Sequence, residues 1–450
     1  MAEKSSSDST GRATSSEAPL KVISLFSGAM GLDLGLEAAG LETAVCVEID
    51  PKCSATIRRN RPELELIQAD IASVSTAKIL AAANLRPGQA FAVVGGPPCQ
   101  SFSTGGLRQS IRDRRGDLFA EFLRVIDDAR PSYFVFENVA HILTAAIRHR
   151  PIAERPGQRW HLSSYKRPAG QLALGFDDGT QPLADDEQAG SALAVILDAF
   201  EGLGYSLTFA VLNAADYGVP QRRLRFVLMG SRSGDRPMIP TRTNAADGSQ
   251  GLPPWRTLRD AIGDLRESYP QHSNYTPEFQ RFFELIPPGG NWRDLPVELQ
   301  QKALGERAFA AGGGKTGFFR RLSWDEPAPT IVGKPNRKSH AICHPDEIRP
   351  LTVRESARVQ GFPDEWEFDG SMHAQYLQIG NAVPVGLGQA IGKVLIDSYA
   401  HETRCLETDC EMFSIDDWQC RREAMLDQAH AVLRAAARNK VSQRSFATAV

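Results

Sequence analysis

The chain predicts an α/β protein built on a doubly wound, mostly parallel sheet, with an antiparallel last strand and a smaller irregular domain attached. Three observations predict it. Short β-branched and aromatic runs alternate with helical segments through residues 20–230. A glycine-containing turn joins the first run to the first helix. Successive runs then end in an acid or next to a thiol, at the edge where open α/β sheets bind ligands.

The elements follow in order. Residues 1–19 hold six serines and almost no bulky apolar groups, so they cannot repay the entropy of ordering and are expected to be disordered. Val22–Phe26 reads as a strand, Ser27-Gly28-Ala29-Met30-Gly31 as a tight turn, and Leu32–Ala39 as a helix closed by Gly40. The turn is neither a complete dinucleotide fingerprint nor a P-loop, since no lysine follows it. Thr43–Val47 is a second strand running into Glu48-Ile49-Asp50, where an acid is placed to hold ribose hydroxyls. Asp50, directly before Pro51, is better explained as a helix N-terminal acid. Leu64–Ile67 ends at Asp70-Ile71, Phe91–Val94 leads to Cys99, and Tyr133–Phe136 ends in Glu137-Asn138-Val139. Carboxylates gathered at one rim are costly to bury unless a ligand or partner uses them.

Val93-Val94-Gly95-Gly96-Pro97-Pro98-Cys99-Gln100 is the stretch around which the rest is arranged. Two prolines fix the backbone before Cys99, presenting its thiol rigidly at the sheet edge. A lone cysteine is usually a small buried hydrophobe, so its reactivity depends on partners supplied from elsewhere.

Residues 149–190 are rich in Pro, Gly, Gln and Asp and read as an insertion over the scaffold. A helix over Ser191–Leu203 precedes two strands, Tyr205–Asn213 and Arg223–Gly230, expected to close the sheet as an antiparallel pair. From Ser231 to about Gly317 prolines and glycines are frequent and regular periodicity fades. Leu351–Gln360 reads as a helix with Arg354 and Arg358 on one face, either solvated or touching phosphate. Gly380–Pro384 is expected to open a helix running to about Ser398. In the tail, Trp418, Met425, Ala429, Val432 and Ala436 recur at helical spacing, which predicts an amphipathic helix packed on the body. Cys405, Cys410 and Cys420 lack metal-ligand spacing, so no metal is expected.

Composition sets the outer limits. The 450 residues are 42% hydrophobic and 23% charged, as in ordinary globular proteins, with a net charge of −3. Seven scattered cysteines suit a reducing compartment. With no apolar signal core and no uninterrupted apolar run long enough for a bilayer, the expectation is a cytoplasmic protein away from membranes. Charge is nonetheless locally biased. Arg108, Arg112, Arg114 and Arg115 face only Asp113 after Cys99, and Lys315–Arg358 holds nine Lys/Arg against five Asp/Glu. Two such stretches are either solvated faces or a directed footprint for a polyanion.

Five motifs occur in a fixed order: Phe26-Ser27-Gly28-Ala29-Met30-Gly31, Pro97-Pro98-Cys99-Gln100, Glu137-Asn138-Val139, Gln221-Arg222-Arg223-Leu224-Arg225 and Gly380-Asn381-Ala382-Val383-Pro384. Together they resemble the DNA (cytosine-5) methyltransferases over roughly residues 21–230 and 318–398. Met30 departs from the pattern, since many members carry glycine there.

The resemblance implies a methyltransferase domain at 20–230, interrupted by the insertion at 149–190. It further implies a target-recognition domain at 231–350, a returning segment at 351–399 and a helical extension at 400–450. Phe318–Ile331 looks like the family's ninth motif. The implied catalytic residues are Cys99 as nucleophile, Glu137 as partner of ring nitrogen 3, and Arg223 and Arg225. Being two apart on a strand, those arginines would share a face, one serving the base carbonyl and the other the phosphate or the glutamate. The implied cofactor is S-adenosylmethionine, with Phe26 near the adenine, Glu48 on the ribose, Asp70 and Ile71 on the adenine edge, and Asn381 at the amino-acid end. Ser27, Gly28, Ala29, Gly31, Leu32, Ile49, Gly96, Pro98, Leu118, Ala382 and Val383 complete the implied contacts. The implied partner is double-stranded DNA with one cytosine flipped out, acted on by a monomer, with a companion restriction endonuclease at the same site. A tRNA cytosine-5 methyltransferase and a non-catalytic DNA-binding regulator are the alternatives.

Overall fold

In the computed structural model, the structure describes residues 18–98, 118–148, 150–151, 154–155, 182–306, 309, 317–406 and 415–442. Cys99 and the arginines that follow it, residues 156–181 of the insertion, and Cys410 lie outside the described residues.

A seven-stranded sheet organises the chain. Its strands are β1 (Lys21–Leu25), β2 (Glu42–Glu48), β3 (Glu65–Gln68), β4 (Ala92–Gly95), β5 (Tyr133–Val139), β6 (Ser206–Asn213) and β8 (Leu224–Ser231), in the order β3-β2-β1-β4-β5-β8-β6. The short β7 (Gln221–Arg222) pairs outside this sheet. All pairings up to β5 are parallel, while β8 runs antiparallel to both β5 and β6. The expected α/β class and the antiparallel closing pair are both present.

Alternation along the strands feeds two cores. Ile23, Val93, Phe134 and Phe136 point into one, against α3 (Thr76–Ala82), α4 (Leu118–Ala129) and α5 (Ser191–Gly202). Val22, Val94 and Val135 point into the other, against α1 (Gly31–Ala38). Successive side chains in each strand thus meet opposite layers, as the β-branched and aromatic runs require. The remaining early helix, α2 (Pro51–Asn60), starts at Asp50, whose carboxylate accepts from the Lys52 and Cys53 amides. The helix-capping explanation of Asp50 holds.

The region from Ser231 is less irregular than its composition suggests. It carries α6 (Leu258–Ile262), α7 (Pro277–Leu285) and α8 (Val297–Leu304). Phe282, Phe283, Trp292, Leu304 and Phe319 form a separate small core around α7 and α8, while Leu258 and Ile262 of α6 join a further core with Met30 and Phe362. Two short pairings frame this unit: β9 (Arg320–Arg321) with β11 (Ile342–Cys343), and β10 (Ala328–Pro329) with β7.

The C-terminal segment differs from expectation in one respect. The Gly380–Pro384 motif is a junction between two helices, α10 (Met372–Asn381) and α11 (Val385–Leu406), preceded by α9 (Val353–Gln360). The composition of Met372–Asn381, polar residues interspersed among apolar ones, hides α10 in the sequence. Met372–Glu402 is long and apolar enough for a bilayer by length and composition alone, yet 56% of the apolar stretch is buried within the fold. Its glycines explain the burial: a Cβ at Gly35 of α1 would lie 2.3 Å from the Val385 carbonyl, and one at Gly388 would lie 2.7 Å from that of Leu32. The two backbones touch, and α11 serves as a core helix. Finally α12 (Ile415–Ser442) lays Met425, Ala429 and Val432 on the sheet core, and Arg422 pairs with Asp198 of α5 at 3.0 Å. The predicted amphipathic extension is therefore part of the body.

Candidate active site

The rim at the C-terminal ends of β1, β2, β4 and β5 gathers the predicted residues. β5 carries Glu137 to the edge, where its carboxylate is 8% exposed and pairs with Arg225 Nε of β8 at 2.7 Å. The pairing follows from register, since Glu137 and Arg225 lie two ladder steps apart on neighbouring antiparallel strands and face the same side. Burial pushes the Glu137 carboxyl above the usual range, and the charges of Arg225 and Arg223 pull it back only in part. This acid is thereby biased toward keeping a proton.

The turn after β4 is built against that acid. A Cβ at Gly96 would lie 2.8 Å from Glu137 Oε2, so only glycine lets the chain pass over the carboxylate. Next to it, Asn138 Nδ2 donates to the Pro97 carbonyl at 3.2 Å. Glu137 and Asn138 therefore hold the backbone that leads directly to Cys99. Asn138 is a positioning residue that sequence reasoning quoted but gave no role.

Arg223 departs from its expected part. It occupies the single-residue break between β7 and β8, not a strand position shared with Arg225. Its guanidinium is 1% exposed and donates to the carbonyls of Ile331 at 2.9 Å and Gly380 at 2.7 Å. Those bonds commit both terminal nitrogens to main chain, leaving Arg225 as the arginine at the acid. Two buried amides extend the brace: Gln221 Nε2 donates to Gln360 Oε1 at 2.8 Å, and Gln360 Nε2 to the Ile379 carbonyl at 2.6 Å. Gln360 was missed, because a glutamine closing a helix carries no signal until its partner is known.

The first turn lies on the same rim. Phe26 and Met30 both adopt left-handed backbone, with φ of 56° and 66°, beside Gly28 at 55°. Glu48 Oε2 accepts from the Gly28 amide at 2.7 Å and Oε1 from that of Asp50 at 2.8 Å. Asp70 caps the short 3-10 turn Ile71–Ser73 by accepting from Ala72. Ile49 is 60% exposed, unusual for a large apolar side chain between a strand and a helix. Ala382 and Val383 close on the turn: a Cβ at Gly31 would meet the Val383 carbonyl at 2.3 Å. Asn381 is exposed beside them, Gly96 and Leu118 are half-buried, and Pro98 is exposed. Ala29, Leu32 and Ile71 are buried in the cores, so their side chains face away from the rim.

Arg354 and Arg358 are also accounted for. The first donates to the Pro363 and Trp366 carbonyls, and the second pairs with Asp264 and Asp364. They brace α9 rather than present free charge to phosphate.

Comparison with known proteins identifies the family. The C-5 cytosine-specific DNA methylase family matches residues 20–150 and 183–397. The chain belongs to that family. The gap in the match falls on the insertion, whose two ends are pinned by Arg148 on Asp186 at 2.9 Å and Arg150 on Glu187. Among curated relatives, the Type II methyltransferase M.Eco47II of Escherichia coli is 36% identical over 83% of this chain and 78% of its own. M.Sau96I of Staphylococcus aureus is 37% identical over 83% and 75%. Among solved structures, a prophage-encoded DNA modification methyltransferase from E. coli matches with a TM-score of 0.52 at 22% identity, covering 85% of this chain and 99% of that one. A DNMT2 variant of Spodoptera frugiperda gives 0.51 at 17%, covering 84% and 99%. These two share the fold.

As a DNA cytosine-5 methyltransferase, the chain takes its methyl group from S-adenosylmethionine. The rim fits that group. Each Glu48 oxygen accepts one backbone bond and keeps a lone pair for a hydroxyl. Open space lies beside Gly28, where an added Cβ would meet nothing within 4 Å. The exposed Ile49 offers an apolar surface for an adenine face, and burial raises the Glu48 carboxyl, a cost that hydrogen-bond donors from a ligand would offset.

Proposed function

We propose that this enzyme methylates one cytosine within a specific duplex DNA sequence, through reversible covalent attack by Cys99. The observation that supports it most is the buried Glu137–Arg225 pair packed against the turn that leads to that cysteine.

Carbon 5 of cytosine is a weak nucleophile until the ring is broken out of conjugation. The Cys99 thiolate adds to carbon 6, and the electron pair displaced from the ring moves toward nitrogen 3. Glu137, whose proton affinity burial raises, supplies a hydrogen bond or a proton there. Arg225 stays beside Glu137 and neutralises the carboxylate that the transfer creates. S-Adenosylmethionine, when bound, would supply an electrophilic methyl group for the enamine-like carbon 5 and would leave as the neutral thioether. A base such as water then takes the carbon 5 proton as the thiolate leaves carbon 6, and any proton gained by nitrogen 3 returns to Glu137, which restores the ring. None of these atoms is reachable inside a stacked duplex, so the base must leave the helix at a cost of a few kcal/mol. Residues 231–317, with their own small core, choose the sequence. The Type II naming of the relatives supports a place in a restriction–modification system beside an endonuclease of the same specificity.

Purified enzyme with labelled cofactor is expected to place methyl groups on carbon 5 of cytosine in duplex DNA. Cys99→Ala is expected to abolish turnover while keeping cofactor binding, and Glu137→Gln to lower kcat by about 10²- to 10⁴-fold. Labelling of tRNA but not DNA, or near-normal turnover by Cys99→Ala, overturns the reading.

A further inference from the structure

Residues 330–341 cross from one core of the molecule to the other. The segment leaves β10, which pairs with β7 beside Arg223, and enters β11, which pairs with β9 in the small unit. Its first half is clamped on the catalytic rim. Arg223 holds the Ile331 carbonyl at 2.9 Å, and a Cβ at Gly380 would lie 2.3 Å from the Gly333 amide nitrogen, beside Asn381. Its second half is tied to the small unit. Lys338 Nζ donates to the Lys302 carbonyl at the end of α8 at 3.4 Å, and Ala341 is fully buried in that unit's core. Between these anchors the backbone is folded on itself, with the His340 amide donating to the Arg337 carbonyl at 2.8 Å.

This bridge has no acid. From Pro327 to Pro345 the sequence contains Lys334, Arg337 and Lys338 and neither aspartate nor glutamate, in a chain whose net charge is −3. Lys334 and Arg337 are exposed, and no ion pair holds either among the described residues. Among the described residues, three other cations near the rim are used internally: Arg222 by Glu326, Arg225 by Glu137 and Arg358 by Asp364. Exposed cations left without partners next to a site for a polyanion are the groups that neutralise phosphate and release its counterions.

We propose that the 332–338 bridge is a DNA backbone clamp, in which Lys334 and Arg337 bind phosphates of the duplex flanking the target base. The proposal rests on the DNA-directed reading above. Because the bridge joins the two units, these contacts set how the duplex lies relative to both; they carry no sequence information of their own.

Salt dependence tests it. With an unmethylated duplex containing the enzyme's target, dissociation constants are measured from low to moderate salt for wild type, Lys334→Ala, Arg337→Ala and the double variant. Arg86→Ala serves as a control, because it removes one exposed charge from the turn before β4, at the opposite edge of the sheet. Each bridge substitution is expected to weaken binding several-fold. Each should also reduce the slope of log K against log salt by about 0.9, by a similar amount on target and non-target duplexes. Arg337→Lys is expected to keep the slope. Unchanged slopes in variants that melt like wild type overturn the proposal, as does an equal loss of slope in Arg86→Ala. An enzyme that methylates no DNA at all refutes the function reading instead, and is seen in the wild type without any variant.

Discussion

Asp33 lies in the first turn of α1, 1% exposed, with Oδ1 lacking a hydrogen-bond partner among the described residues. Ser24 of β1, Glu37 of its own helix, Arg61 after α2 and the buried Cys46 of β2 surround it. Burial pushes its carboxyl up to about 7, well above the ordinary aspartate value. The sign of the consequence follows from which state holds the proton. Between about pH 4 and pH 7 the unfolded chain ionises this group while the folded chain keeps it neutral, so stability falls as pH rises through that window and is level above it. The full effect is on the order of 4 kcal/mol. Asp33→Asn is expected to unfold at higher denaturant than wild type at pH 8 and to converge with it near pH 4, as followed by urea titration. Glu137 is a contrasting acid: it too is buried, but a guanidinium is set against it, and the proposed mechanism uses its raised proton affinity. Nothing in the residue types distinguishes the two; the neighbouring strand does.

At the scale of elements, the turn before α1 shows how packing overrides local preference. Met30 holds left-handed backbone at the helix N-cap, where glycine is at ease, while its side chain is fully buried among Ile57, Phe362 and Trp366. Its backbone costs about 1 kcal/mol and its burial stabilises by more. Both truncations are therefore expected to destabilise, with Met30→Gly costing about 1 kcal/mol less than Met30→Ala because only glycine relieves the backbone. Chemical denaturation of the two variants checks the order, which is the opposite of the ranking inside a helix. The same scale explains what was legible. The seven strands of the main sheet were readable because short β-branched and aromatic runs bounded by turn residues alternate with helical segments. Helices α6, α7, α8 and α10 were not, since five to ten residues of mixed polarity become helical only when a partner covers their apolar side.

Across the whole molecule, four cores join what the sequence separates. One of them gathers Met30 and Ile57 of the sheet domain with Leu258 and Ile262 of the region after Ser231, and with Phe362 and Trp366 of the returning segment. The expected division at 350 thus runs through a shared core, and residues 351–368 belong to the join. At the far end, α12 covers sheet core beside α5. A chain ending at residue 406 is expected to melt several degrees lower, with increased binding of a hydrophobic dye. Retention of the wild-type melting temperature would show that α12 contributes no packing energy.

The order and chemistry of the motifs were set by sequence alone: strand-end acids, the proline-stiffened turn before Cys99 and the basic stretch after Lys315 are local facts of composition and spacing. Tertiary structure decided the assignments among similar residues. Arg223 became a brace and Arg225 the partner of Glu137 because one sits in a break facing two carbonyls and the other on a strand facing the acid. Arg354 and Arg358 were taken by carbonyls and carboxylates, while Lys334 and Arg337 were left exposed on the bridge. A charged side chain's role depends on which groups lie within a few ångströms, and that distance is fixed only when the chain closes on itself.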